Sequence, residues 1–232
     1  MSNMIKTPDE ILRIMKAAAM GDICFSHILE YIRPGMTELQ VSDEIERTLM
    51  SLGAEGLSFP TICVSGVNTT QPHGEPTDKV IEDGDFVTMD FGAVVEGYCG
   101  DMTRTIAVGH VSEKQREVYD VVLRSQLAGL DACRAGVRCR DIDAISRNII
   151  EDAGYGEFYI HGTGHGVGLE IHEMPMINKR GATVLQTGMI FTIEPGIYIP
   201  GKGGVRIEDT VVLTEDGARA LNGVKKQLIE IV

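Results

Sequence analysis

Residues 85–108, DFVTMDFGAVVEGYCGDMTRTIAV, carry β-branched and aromatic side chains on both sides of Glu96-Gly97. A two-residue link of this kind predicts a β-hairpin with arms over 85–95 and 98–108. That turn places Asp90 opposite Thr103, and Asp101 two residues from Thr103 on the same strand and face. Asp90 sits in the apolar run Val87-Thr88-Met89-Asp90-Phe91, so it is expected to be buried, and a buried carboxylate needs a partner. As diagonal neighbours, Asp90 and Asp101 repel; a shared divalent cation removes the repulsion and accounts for both. Two solvated turn carboxylates are the plain alternative.

The segments before the hairpin read as helices. Thr7-Pro8-Asp9-Glu10 combines an N-cap, a proline at the first helical position and a capping-box Glu, opening a helix that Arg33-Pro34-Gly35 stops near Ile32. Thr37-Glu38-Leu39-Gln40 opens a second helix ending near Gly53, and residues 59–66 read as a strand. After the hairpin the order recurs. Ser112-Glu113-Lys114-Gln115 caps a helix ending near Gly136, a second helix runs to about Gly154, and Gly-punctuated strands fill the rest. Gly35 and Gly53 are 18 residues apart, as are Gly136 and Gly154. This predicts an internal duplication across a pseudo-two-fold axis, with halves of about 1–110 and 111–232 in one domain spanning 1–232. Glycine stops helices everywhere, so a chance match of boundaries is the competing explanation. The predicted class is α+β.

Composition bounds the function. The chain has 232 residues, 21 basic against 34 acidic side chains, and a formal charge of -13. That balance disfavours nucleic acid, whose phosphates are held by clustered Lys and Arg. Cys24, Cys63, Cys99, Cys133 and Cys139 are odd in number and lack Cys-x-x-Cys spacing, which suggests neither a disulfide framework nor a thiolate zinc site. Reduced thiols, no apolar N-terminal signal core and no membrane-length apolar run lead to the expectation of a cytoplasmic protein without a membrane partner.

Further polar groups lie in similar surroundings. His161-Gly162-Thr163-Gly164-His165-Gly166-Val167-Gly168 has too many glycines for a helix, and on an extended segment His161 and His165 share a face. With His172 and His73, four of the six histidines lie in Gly- or Pro-rich, β-like stretches. One such histidine is ordinarily a satisfied core residue; the cluster is not explained that way. Residues 191–196 and 204–209 flank Pro200-Gly201-Lys202-Gly203, the loop of another expected hairpin, and its arms carry Glu194 and Glu208. Glu194 alone reads as structural, and Arg206 and Glu208 could simply pair with each other. Taken together, Asp90, Asp101, His165, Glu194 and Glu208 suggest a convergent site in which two divalent cations balance four carboxylates. Oxygen-rich ligands with one imidazole suit manganese, iron, cobalt or zinc. The Gly196-to-Gly203 stretch is not a phosphate loop: Gly203 replaces the required Ser or Thr and no helix follows. Nor do Gly162 to Gly168 give a dinucleotide fingerprint.

These stretches resemble the methionine aminopeptidase and prolidase superfamily of metallopeptidases. The resemblance covers nearly the whole chain and is strongest at Met89 to Gly92, Gly100 to Thr105, His161 to Glu173, Phe191 to Tyr198 and Gly204 to Asp209. It implies the pita-bread fold, with helices covering a curved antiparallel sheet, and Asp90, Asp101, His165, Glu194 and Glu208 as ligands of two divalent cations, manganese first. It further implies Glu194 as ligand and proton acceptor, His172 as oxyanion stabiliser or proton donor, and His73 as a substrate contact. His161 would lie beside a proline pocket, and Arg206 would orient ligand carboxylates. The motifs from His161 to Glu173 and from Phe191 to Tyr198, with Phe59-Pro60-Thr61-Ile62 and Pro72-His73-Gly74-Glu75-Pro76, are similar to the Xaa-Pro aminopeptidase branch. Those enzymes usually carry an N-terminal domain, whereas a one-domain layout is that of methionine aminopeptidases. The expected function is therefore release of an N-terminal residue before proline from peptides. Removal of N-terminal Met is the nearest alternative, and peptide binding without catalysis is an alternative of another class. A homo-oligomer is compatible with the resemblance.

Overall fold

The structure, a computed structural model, describes residues 3–232. Helix α1 (Pro8–Tyr31) begins at Thr7 with a complete capping box to Glu10, and α2 (Glu38–Ser51) begins at Thr37 with one to Gln40. Strands β1 (Gly56–Leu57) and β2 (Ile62–Ser65) follow, then β3 (Asp85–Phe91), β4 (Ala93–Val95), β5 (Tyr98–Cys99) and β6 (Met102–Val108). The second half opens with α3 (Glu113–Ala132), capped by Ser112 and Gln115, and α4 (Cys139–Asp152). Strands β7 (Gly164–Gly166), β8 (Glu173–Ile177), β9 (Ile190–Ile193), β10 (Gly196–Ile199), β11 (Gly203–Arg206), β12 (Glu208–Thr214), β13 (Gly217–Ala220) and β14 (Glu230–Ile231) complete it. Among the described residues, no helix is long and apolar enough to cross a membrane.

Most strands form one curved sheet in the order β2-β3-β6-β12-β9-β7-β8, with β13 beside β12 and β14 beside β6. Period-two alternation sorts its side chains. Val87, Met89 and Phe91 of β3 and Met102 and Ile106 of β6 pack under Phe25, Ile28, Ile45 and Leu49 of α1 and α2. Phe191 and Ile193 of β9 and Val211 and Leu213 of β12 pack with Ile142 of α4. Each of these side chains contributes about 1.5–3 kcal/mol by leaving water. The alternate positions, Asp90, Thr103, Glu208 and Thr210, fall on the opposite face.

The ends of the two helix pairs match in local detail. Gly35 and Gly136, which follow α1 and α3, have φ of 92° and 91°, and Gly53 and Gly154, which follow α2 and α4, have 96° and 85°. The Gly35 N–H donates to the Ile81 carbonyl and the Gly136 N–H to the Leu185 carbonyl.

The expected first hairpin is present, with one difference. Val95 pairs with Tyr98 across Glu96-Gly97, both at positive φ as a type I′ turn requires, and the same register continues to Asp90 opposite Thr103. Each arm is split, however: β4 and β5 leave the large sheet for a small one with β1. The break falls at Gly92 and Asp101, where a Cβ on Gly92 would lie 1.9 Å from the Gly100 carbonyl oxygen. The second hairpin divides in the same way. β10 and β11 pair around the 200–202 loop, β9 and β12 continue the register, and Glu194-Pro195 and Ile207 occupy the break.

The strand expected over 59–66 is shorter, Ile62–Ser65. Pro60 has no N–H to give a ladder, and Gly66 turns the chain at φ 53° into a 3₁₀ turn over Gly66–Thr70.

Candidate metal centre

The geometry begins with a row across three strands. Thr103 on the central strand β6 is in register with Asp90 of β3 on one side and Glu208 of β12 on the other. Its hydroxyl donates to Glu208 Oε2 at 2.5 Å and accepts from Arg206 Nε at 3.1 Å. Arg206 then spreads its guanidinium, donating from Nη2 to Asp90 Oδ2 at 2.6 Å and from Nη1 to the Tyr198 hydroxyl at 2.9 Å. Arg206 and Glu208 do not form the simple pair their spacing allows, because β11 ends at Arg206 and the guanidinium turns to Asp90.

Asp101 and Glu194 enter from the two breaks. The Glu194 N–H donates to the Thr163 carbonyl at 2.8 Å, and its Oε1 accepts from the Thr192 hydroxyl at 2.9 Å. His165 on β7 faces both carboxylates, with Nε2 3.2 Å from Glu194 Oε1 and 3.6 Å from Asp101 Oδ2. Its Nδ1 lies 3.1 Å from the Gly166 carbonyl, an acceptor only, so Nδ1 carries the hydrogen and Nε2 is the nitrogen aimed at the acids. One ligand atom each from Asp101, His165 and Glu208 lies within 4.8 Å of the others.

Electrostatics show what this cluster lacks. Burial, then the charges of Glu208 and Asp90, push Asp101 well above the usual carboxylate range. Burial, with Glu194 and Asp90, does the same to Glu208. Asp90 is raised by burial despite Arg206. Burial also opposes ionisation of Glu194, but the His165 hydrogen bond and charge, with His161 and Arg206, bring it to about 2. His165 is raised because Glu194 outweighs the desolvation of its ring. Arg206 is committed to Asp90, whose Oδ1 is buried without a hydrogen-bond partner among the described residues. Orphaned oxygen, mutually repelling acids and an imidazole whose far nitrogen is tied to a carbonyl all fit a divalent cation site.

Three more of the six histidines, His161, His172 and His73, lie near these acids. His161 does not share an extended segment with His165, since β7 covers only Gly164–Gly166. The cause is α4: Arg147 donates to the Tyr159 and His161 carbonyls, and Asp143 accepts from the Thr163 N–H and hydroxyl. His161 Nδ1 faces the Gly162 carbonyl and Nε2 the Tyr198 hydroxyl, each at 2.7 Å. Burial keeps its ring neutral by lowering its pKa. The hydrogen bonds thus run from Arg206 through Tyr198 to His161. His172 is exposed and sets its ring edge-on to His165, centroids 4.4 Å apart; partial burial and the His165 charge lower its pKa. His73 lies on an exposed turn, near enough for its charge to depress both His161 and His172. Glu38 anchors the surrounding segment by accepting from Ser65, Asn68 and Thr77. Sequence reasoning gave no role to Thr103, Tyr198, Glu38, Asp143 or Arg147; the Asp143/Arg147 pair at i,i+4 was the one available signal.

Residues 13–215 match metallopeptidase family M24. The chain belongs to that family. It is 47% identical over 226 residues to the Xaa-Pro dipeptidase of Pyrococcus furiosus, an alignment covering 97% of this chain and 65% of that protein. The Xaa-Pro dipeptidase structure from Bacillus anthracis superposes with a TM-score of 0.96 at 50% identity, over 98% of this chain and 64% of that one. The X-Pro aminopeptidase structure from Thermotoga maritima gives 0.96 at 41% identity, over 98% and 65%. The chain thus spans about two thirds of the length of these relatives, and its fold is the pita-bread fold they share. Membership of M24 implies use of a divalent metal, in agreement with the cluster around Asp101, His165 and Glu208.

Proposed function

We propose that this M24 chain is a dimetal peptidase that hydrolyses the bond between an N-terminal residue and a penultimate proline. The observation that carries the reading is the convergence of Asp90, Asp101, His165, Glu194 and Glu208 beside the wall of His161, Tyr198 and His172. Asp90, Asp101, His165, Glu194 and Glu208 are the assigned ligands, and manganese the first choice of metal. Bound divalent cations supply Lewis acidity, acidifying water and polarising the scissile carbonyl.

The chain's own groups do the rest. Glu194, ionised at neutral pH, accepts the proton of the attacking water. His172, at the open side of His165, donates to the developing oxyanion or returns a proton to the leaving nitrogen. His73 on its exposed turn contacts substrate near the scissile amide, and His161 borders a pocket for the pyrrolidine ring. Proline lacks the N–H that a strand-recognising peptidase uses, so selection by ring shape is the physical route to such a substrate. The relatives' names support this second-residue selection over removal of Met. Peptide substrates and cytoplasmic action belong to the same proposal, as does one catalytic domain over 1–232.

The test is kcat/KM on Ala-Pro, Ala-Pro-Ala, Met-Pro-Ala, Met-Ala-Ala and Ala-Ala-Ala, with manganese and cobalt each supplied. Both Xaa-Pro tripeptides should exceed Met-Ala-Ala by more than about 10-fold, or about 1.4 kcal/mol. The reverse preference would overturn the proposal, and Ala-Pro against Ala-Pro-Ala separates a dipeptidase from an aminopeptidase.

A further inference from the structure

A buried ion pair lies beside the centre without belonging to the ligand set. Lys6 Nζ donates to Glu173 Oε2 at 2.8 Å, with side chains only 1% and 10% exposed. Lys6 also donates to the Asn3 carbonyl at 2.7 Å. Its backbone is fixed on both sides: the Lys6 N–H donates to the Gly188 carbonyl, Ile5 bridges to Met189, and Thr7 caps α1. The ammonium therefore comes from a rigid position.

Glu173, the first residue of β8, is the hub of the loop that leads into it. Its Oε1 accepts from the Glu170 N–H at 3.0 Å, while the Gly168 N–H donates to the Glu170 carbonyl at 3.1 Å. The carboxylate lies so close over Gly168 that a Cβ there would meet Oε1 at 2.5 Å. The Gly168 carbonyl in turn accepts from the Cys99 N–H. His172 is the residue immediately before Glu173, and its exposed ring meets His165 with centroids 4.4 Å apart. The described contact of its ring is therefore with His165, and the backbone of the loop sets where that ring stands.

We propose that Lys6 is a positioning residue for His172: by pairing with Glu173 it holds the 168–173 loop in the shape that sets the His172 imidazole against His165. A largely buried carboxylate deprived of its cation is left uncompensated and draws in water, which opens the hub. The effect on turnover rests on the functional reading above; the effect on ring geometry does not.

The experiment compares Lys6→Met, which keeps the apolar stem, with the unaltered chain, His172→Ala and the Lys6→Met/His172→Ala double variant. In metal-free protein, the nuclear Overhauser contact between the His165 and His172 rings should be lost in Lys6→Met, while that between His161 and Tyr198 persists. On Ala-Pro-Ala with manganese, Lys6→Met should lower kcat about 10- to 100-fold with KM within about 3-fold, the size expected of a misplaced catalytic group. In the His172→Ala background the same change should cost less than about 3-fold, because residues acting through one another are not additive. Retention of the His165–His172 contact, loss of both ring contacts together, or equal losses in the two backgrounds would each overturn the proposal. If Lys6→Met does not fold, Glu173→Gln keeps the side-chain shape, removes the charge and carries the same measurements. If no Xaa-Pro peptide is cleaved by the unaltered chain, the functional reading fails and the ring contacts alone decide the positioning claim.

Discussion

Asp90 and Glu208 stand on either side of Thr103 at one register position, on the strands that flank β6. Arg206 holds Asp90, Thr103 holds Glu208, and Arg206 donates to Thr103, so one guanidinium spaces both acids. The strands and their breaks bring four acids together, and among the described residues Arg206 is the one Lys or Arg whose side chain pairs with any of them. The deficit has measurable consequences in protein stripped of metal.

Stability of the stripped protein should fall as pH rises. Burial and neighbouring carboxylates raise Asp101 and Glu208 in the folded state. The fold then holds protons that the unfolded chain has released, so stability present below about pH 4 is lost as pH climbs through the raised values. Glu194, brought to about 2, acts oppositely: its contribution is present above its ordinary value and lost only as pH falls toward 2. The expected Tm of stripped protein declines as pH rises above the ordinary carboxylate range, and saturating manganese reverses the slope because ligands bind deprotonated. A flat or rising Tm without metal would count against the deficit.

Removing the guanidinium tests its spacing role. Arg206→Met leaves Asp90 buried without its partner, and breaking such a pair costs about 3–5 kcal/mol. Arg206→Lys should recover only part of this, because one ammonium cannot reach Asp90, Thr103 and Tyr198 with the same fork. Urea unfolding of stripped protein at pH 8 measures both. Equal stability of Arg206→Met and the unaltered chain would show that Asp90 needs no cation.

The first hairpin was legible in the sequence because turn chemistry and period-two alternation are local. They gave the Glu96-Gly97 turn, the Asp90–Thr103 pair and the carboxylates of each arm. The breaks in the arms were not legible, since they arise where Gly92 meets Gly100 and where Glu194-Pro195 lies opposite Ile207. His161 was misplaced for a related reason: Asp143 and Arg147 bind its segment from a helix that sequence spacing does not connect to it. Lys6 and Glu173 lie 167 residues apart, beyond any local pattern.

The break at Gly92 yields a contrast between two glycines of one hairpin. At Gly92 a methyl group would strike the Gly100 carbonyl oxygen at 1.9 Å, and backbone cannot step aside as a side chain does. Gly92→Ala should cost more than about 3 kcal/mol, at the high end of overpacking, and should displace Asp101. Gly97 has open space around it and φ of 79°, so Gly97→Ala should cost only about 1–2 kcal/mol through left-handed strain. Chemical unfolding of both variants gives the comparison; similar costs would mean that the close approach is not a constraint.

Asp101→Asn separates a ligand from a structural carboxylate by the sign of two effects. The amide keeps the side-chain shape and removes the charge that Glu208, Asp90 and Glu194 oppose. Stripped protein carrying the change should therefore melt higher than the unaltered chain at pH 8. The same change removes an anionic oxygen from the group formed by Asp101, His165 and Glu208. Metal affinity should fall by at least the about 10- to 100-fold seen when a supporting partner is lost, and turnover on Ala-Pro-Ala should fall with it. Calorimetric titration with manganese and thermal unfolding before and after stripping measure the two terms on one sample. A structural Asp101 would instead lower the metal-free Tm and leave affinity unchanged. Opposite signs, greater stability without metal and weaker binding of it, are what a site built around missing positive charge requires.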